Sequence, residues 1–174
     1  EKTLYFRPPS YVDDIDPILT LVWGQSLISF SPRLATNLVT GTSQRSPQTA
    51  RGGDKEPLVA ETTAKDIPPR LGERSGPQIV KERFGDNIIL VDDHRADSPA
   101  ENQAMGRARL RRSALEFVKG SGETIGNPRI VSDTVIELEG LGDKFSGLYY
   151  VTSTTHTIDA NGYRTTFEAK RDGI

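Results

Sequence analysis

The sequence contains no cysteine, which excludes disulfide bonds, thiolate metal sites and cysteine nucleophiles. It also lacks long apolar runs: stretches such as Ile88–Val91 are far shorter than the roughly 18 residues that a membrane-spanning helix needs. Positive charge is not in excess, since 22 Lys and Arg accompany 24 Asp and Glu and the formal net charge is −2. Bulk charge therefore gives no reason to expect binding to nucleic acid or to an anionic membrane.

The N-terminus lacks the features of a signal sequence. The stretch from Glu1 to Pro9 has no initiator Met and no charged segment followed by an apolar one, so we expect an excised piece of a longer protein. With 174 residues and 34% hydrophobic residues, the chain has the length of one ordinary domain, or of one domain plus a fragment of another, and enough apolar side chains to form a core.

Composition divides the chain into three parts. Residues 1–41 hold two apolar stretches rich in strand-forming residues, Ile18–Trp23 and Ser26–Phe30, which predict short strands. Residues 42–77 combine Pro and Gly with Ser, Thr and charges of both signs, so we expect a linker or mobile insertion there. Residues 78–174 carry the clearest pattern, a helix followed by strands.

A helix is predicted to begin at Ser98. This residue stands at the N-cap, with Pro99 at the first helical position and Glu101 three residues after the cap, which is the pattern of a capping box. The helix is predicted to run to about Arg112. Small side chains recur along it at every fourth residue, and we expect this stripe to lie close against a sheet. The stripe consists of Ala100, Ala104 and Ala108, with Met105 alongside.

After the helix the pattern changes to a period of two. Ile136 and Leu138 point to one side of a predicted strand, and the neighbouring glutamates point to the other. Asp159–Gly162 supplies a turn between two further strands. Pairing across this turn predicts the partners Ile158 with Tyr163, His156 with Thr165, and Thr154 with Phe167.

The predicted hairpin has one apolar face, consisting of Leu148, Tyr150, Ile158, Tyr163, Phe167 and Ala169. A slip of one residue would bring Arg164, Glu168 and Lys170 into the core, so the chemistry fixes the register. These patterns predict an α+β fold that is mainly β, an antiparallel and partly closed barrel with one packed helix.

The two histidines are the candidates for catalysis or metal binding. His94 follows Asp92 and Asp93, and such a cluster could ligate a divalent cation, although a polar turn between strand and helix is the preferred interpretation. His156 lies in mid-strand among threonines, which favours a hydrogen-bonded cross-strand histidine over a metal ligand. We therefore predict no catalytic residue, no metal ligand and no cofactor.

The glycine-rich and arginine-rich segments do not predict a nucleotide site. Ser121–Gly126 and Gly140–Gly142 match neither a Walker loop nor a dinucleotide fingerprint. A dense basic run places Arg107 and Arg111 on one side of the predicted helix. Because no series of aromatic residues accompanies the run, we expect a solvated face or contacts with carboxylates of a neighbouring subunit.

Glycines and aromatic residues recur through the C-terminal region in a fixed order. They are Gly140, Leu141, Gly142, Phe145, Gly147, Tyr149, Tyr150, His156, Gly162, Tyr163 and Phe167. Together with Gly126–Pro128 and Asp133–Glu139, they resemble the C-terminal motif of the late control protein D family. Members of this family are baseplate hubs of contractile phage tails, related to the hub part of VgrG-type spikes of contractile injection systems. Leu4–Pro9 and Leu21–Arg33 resemble the middle of the same family.

The resemblance implies a structural role without catalysis. Family members form homotrimers in which each chain contributes two tube-like β domains, and the resulting ring joins the tail tube to the central spike. For this chain it implies that residues 1–41 end one domain and begin the next, and that residues 78–174 form the second tube-like domain.

The implied partners are further copies of the chain in the full-length parent, a tail tube protein and a spike protein, with no membrane and no specific nucleic acid. The implied location is the baseplate of a virion tail or an injection apparatus assembled in the cytoplasm. Charged residues expected at contacts between subunits or at the lumen are Arg107, Arg111, Arg164, Glu168 and Lys170.

Two other functions remain open from the residues alone. A small β-barrel binding module could recognise a surface glycan or peptide, although a core position is preferred for its contact aromatics. Those aromatics would be Trp23, Tyr149, Tyr150 and Tyr163. A metal-dependent hydrolase would have to be built from Asp92, Asp93, His94 and His156.

Overall fold

The computed structural model describes residues 7–13, 15–50 and 53–174. The helices are α1 (Ser10–Asp13), α2 (Gly76–Phe84) and α3 (Pro99–Ala114). The strands are β1 (Thr20–Val22), β2 (Leu27–Leu34), β3 (Gly41–Ala50), β4 (Gly53–Thr63), β5 (Ile88–Val91), β6 (Val118–Ile125), β7 (Thr134–Glu139), β8 (Gly147–Asp159) and β9 (Gly162–Arg171). The fold is mainly β, as predicted.

Six strands form a sheet that curls into a half-barrel, in the order β1-β7-β8-β9-β6-β2. All neighbours in it are antiparallel except β1 and β7. The strands predicted from residues 1–41 are found in β1 and β2, which lie at its two edges. The predicted strand β7 buries Ile136 and Leu138 completely. The main core on this sheet includes Leu27, Val118, Ile130, Tyr149, Val151 and Phe167.

The β8–β9 hairpin confirms the predicted partners, since Ile158 pairs with Tyr163, His156 with Thr165, and Thr154 with Phe167. A register shift between Val151 and Ser153 inserts one extra residue in β8, so the side chains before it face the opposite way from the prediction. Tyr149 and Val151 are therefore fully buried, whereas Ile158 is 80% exposed. Phe167 and Ala169 are buried, as predicted. The prediction of a core position is wrong for Ile158.

Leu148 and Tyr150 are also displaced from the predicted core. Both lie half-buried on the other face of the sheet, where they pack with Tyr11, Leu71 and Leu115 in a second apolar cluster. This cluster covers part of the outer face of the six-stranded sheet.

A second, three-stranded sheet has the order β4-β3-β5. Its β3–β4 hairpin corrects the prediction of a linker or mobile insertion in residues 42–77. A hydrophobic pattern does not reveal these strands, because several of their buried side chains are polar. Thr42, Gln44, Ser46 and Thr62 are all at most 1% exposed. Pro47 lies at a register shift between Ser46 and Gln48, where the ladder tolerates a residue without an N–H.

Helix α3 begins as the capping box predicts. The Ser98 hydroxyl accepts a hydrogen bond from the Glu101 amide at 3.2 Å, and the Glu101 carboxylate accepts one from the Asp97 amide at 2.8 Å. The predicted alanine stripe is wrong, because Ala100, Ala104 and Ala108 are exposed. The buried row is Asn102, Gly106, Leu110 and Ala114, and it packs on β3 and β4 and not on the C-terminal sheet.

A polar row faces this sheet because the sheet presents hydrogen-bonding groups there. The Asn102 side chain donates to the carbonyls of Gln44 and Leu58 at 3.1 and 3.2 Å. Gly106 brings the helix close enough for its carbonyl to accept a hydrogen bond from the Thr42 hydroxyl at 3.3 Å.

Residues 70–76, which lead into α2, contact residues 171–174 at the end of β9. We call this contact the clasp. Arg74 and Ile174 exchange two backbone hydrogen bonds of 2.8 and 3.0 Å. The buried Asp172 carboxylate accepts hydrogen bonds from the amides of Arg70 and Leu71 at 2.8 and 2.9 Å. The clasp therefore fixes the segment before α2 to the end of β9. Across the described ranges, every helix is too short or too polar to span a membrane.

Candidate functional site

The six-stranded sheet has an open polar face formed by parts of β2, β6, β8 and β9. Alternate residues of each strand point to it, and most of them carry hydroxyl groups. Two adjoining depressions of about 310 and 390 Å³ lie on this face. Their hydroxyl-bearing residues are Ser29, Ser31, Ser121, Thr152, Ser153, Thr155 and Thr166.

A row of cations crosses the polar face at one end. Arg33 lies opposite Lys119, and Lys119 lies opposite Lys170. Like charges in such positions repel one another. The Glu116 carboxylate lies between the two lysines and binds both ammonium groups. Partial burial would raise the pKa of Glu116, but the hydrogen bonds from both lysines outweigh it and lower that pKa.

The structure brings together three of the five charged residues that the sequence assigns to contacts or to a lumen. Arg164, Glu168 and Lys170 all lie on β9 and point to the polar face. Arg164 pairs with Glu123 at 3.2 Å, and Glu168 accepts a hydrogen bond from the Ser153 hydroxyl at 3.2 Å.

The other two predicted charges, Arg107 and Arg111, lie on α3 and are not part of the polar face. Arg107 is exposed, whereas Arg111 is half-buried and its Nε atom has no hydrogen-bond partner in the described part of the chain.

The glycines of the C-terminal motif occupy backbone conformations that other residues rarely adopt. Gly140, Gly142, Gly147 and Gly162 have φ values of 79°, 78°, 125° and 106°. The loop between Gly140 and Gly147 is closed by a hydrogen bond from the Leu141 amide to the Ser146 hydroxyl at 3.0 Å. These motif residues therefore shape the turns that connect β7 to β8 and β8 to β9.

Three glycines of β6 and its end have a different role that the sequence interpretation missed. A Cβ atom at Gly120 would meet the ring of Phe30 at 2.3 Å, one at Gly122 the ring of Phe167 at 2.5 Å, and one at Gly126 the ring of Tyr163 at 2.0 Å. Each glycine thus makes room for an aromatic ring. The spacing of two between Gly120 and Gly122, in a segment of strand length, is the signal that could have revealed it.

His156 is held across the hairpin, as predicted. Its Nδ1 atom lies 3.0 Å from the Thr165 hydroxyl and 2.9 Å from the Tyr163 hydroxyl. Its Nε2 atom lies 3.1 Å from the Ile130 carbonyl oxygen, which can only accept. Nε2 therefore carries the proton and Nδ1 accepts from the hydroxyls.

Asp133 anchors the first described residues to the sheet. Its carboxylate accepts hydrogen bonds from the Ser10 amide at 2.8 Å, Arg7 at 2.9 Å and the Tyr150 hydroxyl at 3.2 Å. Burial would raise the pKa of Asp133, but these hydrogen bonds outweigh it and lower that pKa. Burial and the neighbouring Asp133 charge raise the pKa of Tyr150 to about 12.

The loop after β5 is a polar turn, as the preferred interpretation predicts. Both carboxylate oxygens of Asp93 accept hydrogen bonds from Arg109, at 2.8 and 2.9 Å. The His94 Nδ1 atom lies 2.9 Å from the same carboxylate. Hydrogen bonds from His94 and Arg109 lower the pKa of Asp93. Within residues 7–13, 15–50 and 53–174, no three His, Asp or Glu side chains gather as a metal ligand set.

The four aromatics of the binding-module interpretation do not form one platform. Tyr149 is fully buried and donates a hydrogen bond to the Phe145 carbonyl at 2.9 Å, and burial raises its pKa. Tyr150 and Tyr163 are bound to Asp133 and His156, as described above. Trp23 is 47% exposed at the end of β1.

Comparisons with known proteins give one family model and several solved structures. The family model described as the Alg8 N-terminal domain matches residues 4–160, which is most of the chain. This description does not name the late control protein D family, so that finer resemblance stays a prediction. No curated protein matches the chain.

Two of the similar structures are phage or bacterial tail proteins. The 43 kDa tail protein of prophage MuSo2 from Shewanella oneidensis has a TM-score of 0.64 and 10% identity, covering 88% of this chain and 44% of that one. A tail protein from Neisseria meningitidis MC58 has a TM-score of 0.57 and 14% identity, covering 91% of this chain and 45% of that one. The chain thus has the fold of these tail proteins and spans less than half of their length.

Proposed function

We propose that this chain, which belongs to the Alg8 N-terminal domain family and has the fold of phage tail proteins, is a structural component of a phage tail. More narrowly, we propose that it is part of the baseplate hub, a trimeric ring that joins the tail tube to the central spike. The observation that carries the proposal is the likeness of fold to two tail proteins over most of the chain.

The polar face supports this proposal. A sheet that is apolar on one side and rich in hydroxyl groups on the other suits a wall that packs inward and presents a wetted surface to a bore or to a neighbouring subunit. The predicted charges Arg164, Glu168 and Lys170 lie on this face.

We also propose that the chain acts without catalysis. The polar groups that are most constrained in it serve structural contacts: Asp133 anchors α1, Asp172 closes the clasp and His156 bridges β8, β9 and the Ile130 carbonyl. The glycines described above serve turns and the packing of aromatic rings, which are also structural roles.

The test is deletion of the gene from the phage or prophage that carries it, with complementation in trans. We expect electron microscopy to show no complete tails after deletion, and complete tails after complementation with the wild-type gene. Gold-labelled antibodies against the chain should mark one end of each tail, beside the spike. Normal tails in the deletion strain would contradict a structural role, and label along the whole tube would contradict the hub.

A further inference from the structure

The small sheet β4-β3-β5 is covered by α3 on one face and is open on the other. The covered face is polar at its centre, where Thr42, Gln44 and Thr62 are at most 1% exposed, and it also buries Val91 beside Gln44. The opposite face exposes three further apolar residues. Val59, Ile88 and Leu90 are 58%, 58% and 67% exposed on it. Strand pairing places these three residues on one surface, since Ser43 lies beside Leu90 and Arg45 beside Val59.

Neither face of the small sheet has all the contacts that its side chains could make. Both amide polar atoms of Gln44, the Thr62 hydroxyl and the Asn102 side-chain oxygen are buried between α3 and the sheet, and they have no hydrogen-bond partner among the residues that the structure describes. On the open side, Val59, Ile88 and Leu90 would gain free energy from burial but face outward. Exposed apolar surface that is rimmed by charged residues is typical of an interaction site.

The chain itself carries a surface that fits this apolar face. A depression of about 410 Å³ lies beside the outer side of α3, and Met105 and Ala108 supply its apolar lining. Its polar lining consists of Arg109 and Arg112 together with Asp93 and His94 of the loop after β5. The exposed Ala100 and Ala104 extend this surface with short side chains that would allow a close approach.

The charges at the two surfaces are complementary. Glu61 and Arg45 flank the apolar residues of the small sheet and are exposed. Neither makes an ion pair with any other residue in the described parts of the chain. On the outer part of α3, Arg112 at the depression and the exposed Glu101 carry charges opposite to those of Glu61 and Arg45. A patch on one side of a molecule that fits a depression elsewhere on the same molecule makes a head-to-tail contact.

We propose that the open face of the small sheet is covered by the outer side of α3 from a second copy of the chain. Leu90 of one copy enters the depression beside Met105 and Ala108 of the next. Such a contact repeats from copy to copy and can close into a ring. This inference rests on the proposed hub, because it names the contact that would join neighbouring subunits.

The chain has no cysteine, so the contact can be tested by directed cross-linking. One variant carries Leu90→Cys and a second, with a size tag, carries Ala108→Cys. The two are mixed at high concentration and oxidised. We expect a disulfide-linked heterodimer as the main product. The matched control mixes Ala108→Cys with Ile125→Cys, since Ile125 is also 58% exposed but lies on the other sheet. This control should give at least tenfold less product.

Absence of the heterodimer would overturn the proposed contact. Preferential linkage of Leu90→Cys to itself would also overturn it, because that product requires two small sheets to face one another. As a second measurement, Leu90→Asp should weaken self-association in sedimentation by at least tenfold while the circular dichroism spectrum stays unchanged.

The two experiments distinguish failure of the proposed contact from failure of the hub proposal. If the heterodimer forms but the antibody does not label tails, the hub proposal fails and the contact stands. If tails are labelled beside the spike but no heterodimer forms, only the proposed contact fails.

Discussion

At the scale of single residues, glycine is used in two distinct ways. In the turns around β8, glycines supply positive φ values, whereas in β6 they supply empty space for rings. Phe30 packs edge-on against Tyr149 and stacked on Phe167, so the rings over Gly120 and Gly122 belong to one aromatic group. The core of the six-stranded sheet therefore depends on positions without side chains.

We expect Gly122→Ala to destabilise the protein by about 1 to 3 kcal/mol, because its Cβ would overlap the buried ring of Phe167. Urea unfolding followed by tyrosine fluorescence measures the loss. The control is Ser121→Ala, one residue earlier on the exposed polar face, which should change stability by less than about 0.5 kcal/mol. Equal losses for the two variants would show that the ring contact has no special role.

The buried carboxylate of the clasp gives a second prediction at this scale. In Asp172→Asn, one of the two backbone amides would face an NH₂ group in place of an acceptor oxygen. We expect a loss of about 1 to 3 kcal/mol, the cost of an unsatisfied buried donor. Asp159→Asn is the matched control, because Asp159 is exposed and accepts one amide hydrogen bond within its own turn. Thermal unfolding of both variants would compare them, and a larger loss at Asp159 would contradict the importance of the clasp.

At the scale of elements, α3 lies close to β3 and β4 and is bound to them by hydrogen bonds. Its buried apolar residues lie toward its C-terminal end. Leu110 and Ala114 pack with Ile67 there, while Asn102 and Gly106 meet polar groups of β3 and β4. Since burial of apolar area contributes little at the centre of this interface, small steric changes should have large effects on docking.

We expect Gly106→Ala to loosen α3, because the new Cβ would lie 2.7 Å from the Thr62 hydroxyl. In an unhindered helix the same change would stabilise by about 1 kcal/mol, so the predicted sign is reversed. Hydrogen exchange of the α3 amides should become faster in this variant. The double variant Gly106→Ala with Thr62→Ala should restore slow exchange, since the Thr62 hydroxyl makes no hydrogen bond within residues 7–13, 15–50 and 53–174. Slower exchange in the single variant would refute the close contact.

The elements also show what the sequence could and could not predict. The turn at Asp159–Gly162 and the alternation around it were enough to predict the pairs of the β8–β9 hairpin. The extra residue at the register shift could not be predicted, because Thr152 and its neighbours tolerate either face. The simple alternation therefore places Leu148 and Tyr150 on the wrong side of the sheet. The β3–β4 hairpin escaped prediction because its inward positions are Thr, Gln and Ser, which a hydrophobic pattern does not detect.

For the whole molecule, the carboxylates set the response to acid. Asp66, Glu116 and Asp133 have pKa values lowered by their hydrogen bonds in the fold. Their unfolded pKa values are higher, near about 4. Their contribution to stability is therefore present above about pH 4 and is lost as the pH falls through the lower folded values.

We expect the wild type to lose stability steadily from about pH 5 to pH 3, and Asp133→Asn to decline less steeply over this range. Asparagine suits this test because the φ of residue 133 is 63°, a conformation that Asn tolerates. Its side-chain oxygen can also still accept from the Ser10 amide. Urea midpoints at several pH values measure the slope. A slope identical to that of the wild type would show that Asp133 does not titrate with unfolding.

The class of the fold could be predicted from the sequence, but the arrangement of its strands and helices could not. Alternating strands, one capped helix and a tight turn indicated a mainly β fold with a packed helix. The pairing of β1 with β7 and the docking of α3 on a second sheet could not be predicted, because both depend on contacts far apart in the chain. The cation row with Glu116 could not be predicted either, because it requires the register of three strands.

The position of β9 in the sheet has a consequence for synthesis. It follows the other strands along the chain, yet it lies between β8 and β6 and joins the two halves of the six-stranded sheet. While the nascent chain leaves the ribosome, β8 and β6 therefore each present a bare edge until β9 emerges. Such edges can pair with other polypeptides, so co-translational protection by chaperones should raise the yield of correctly folded protein.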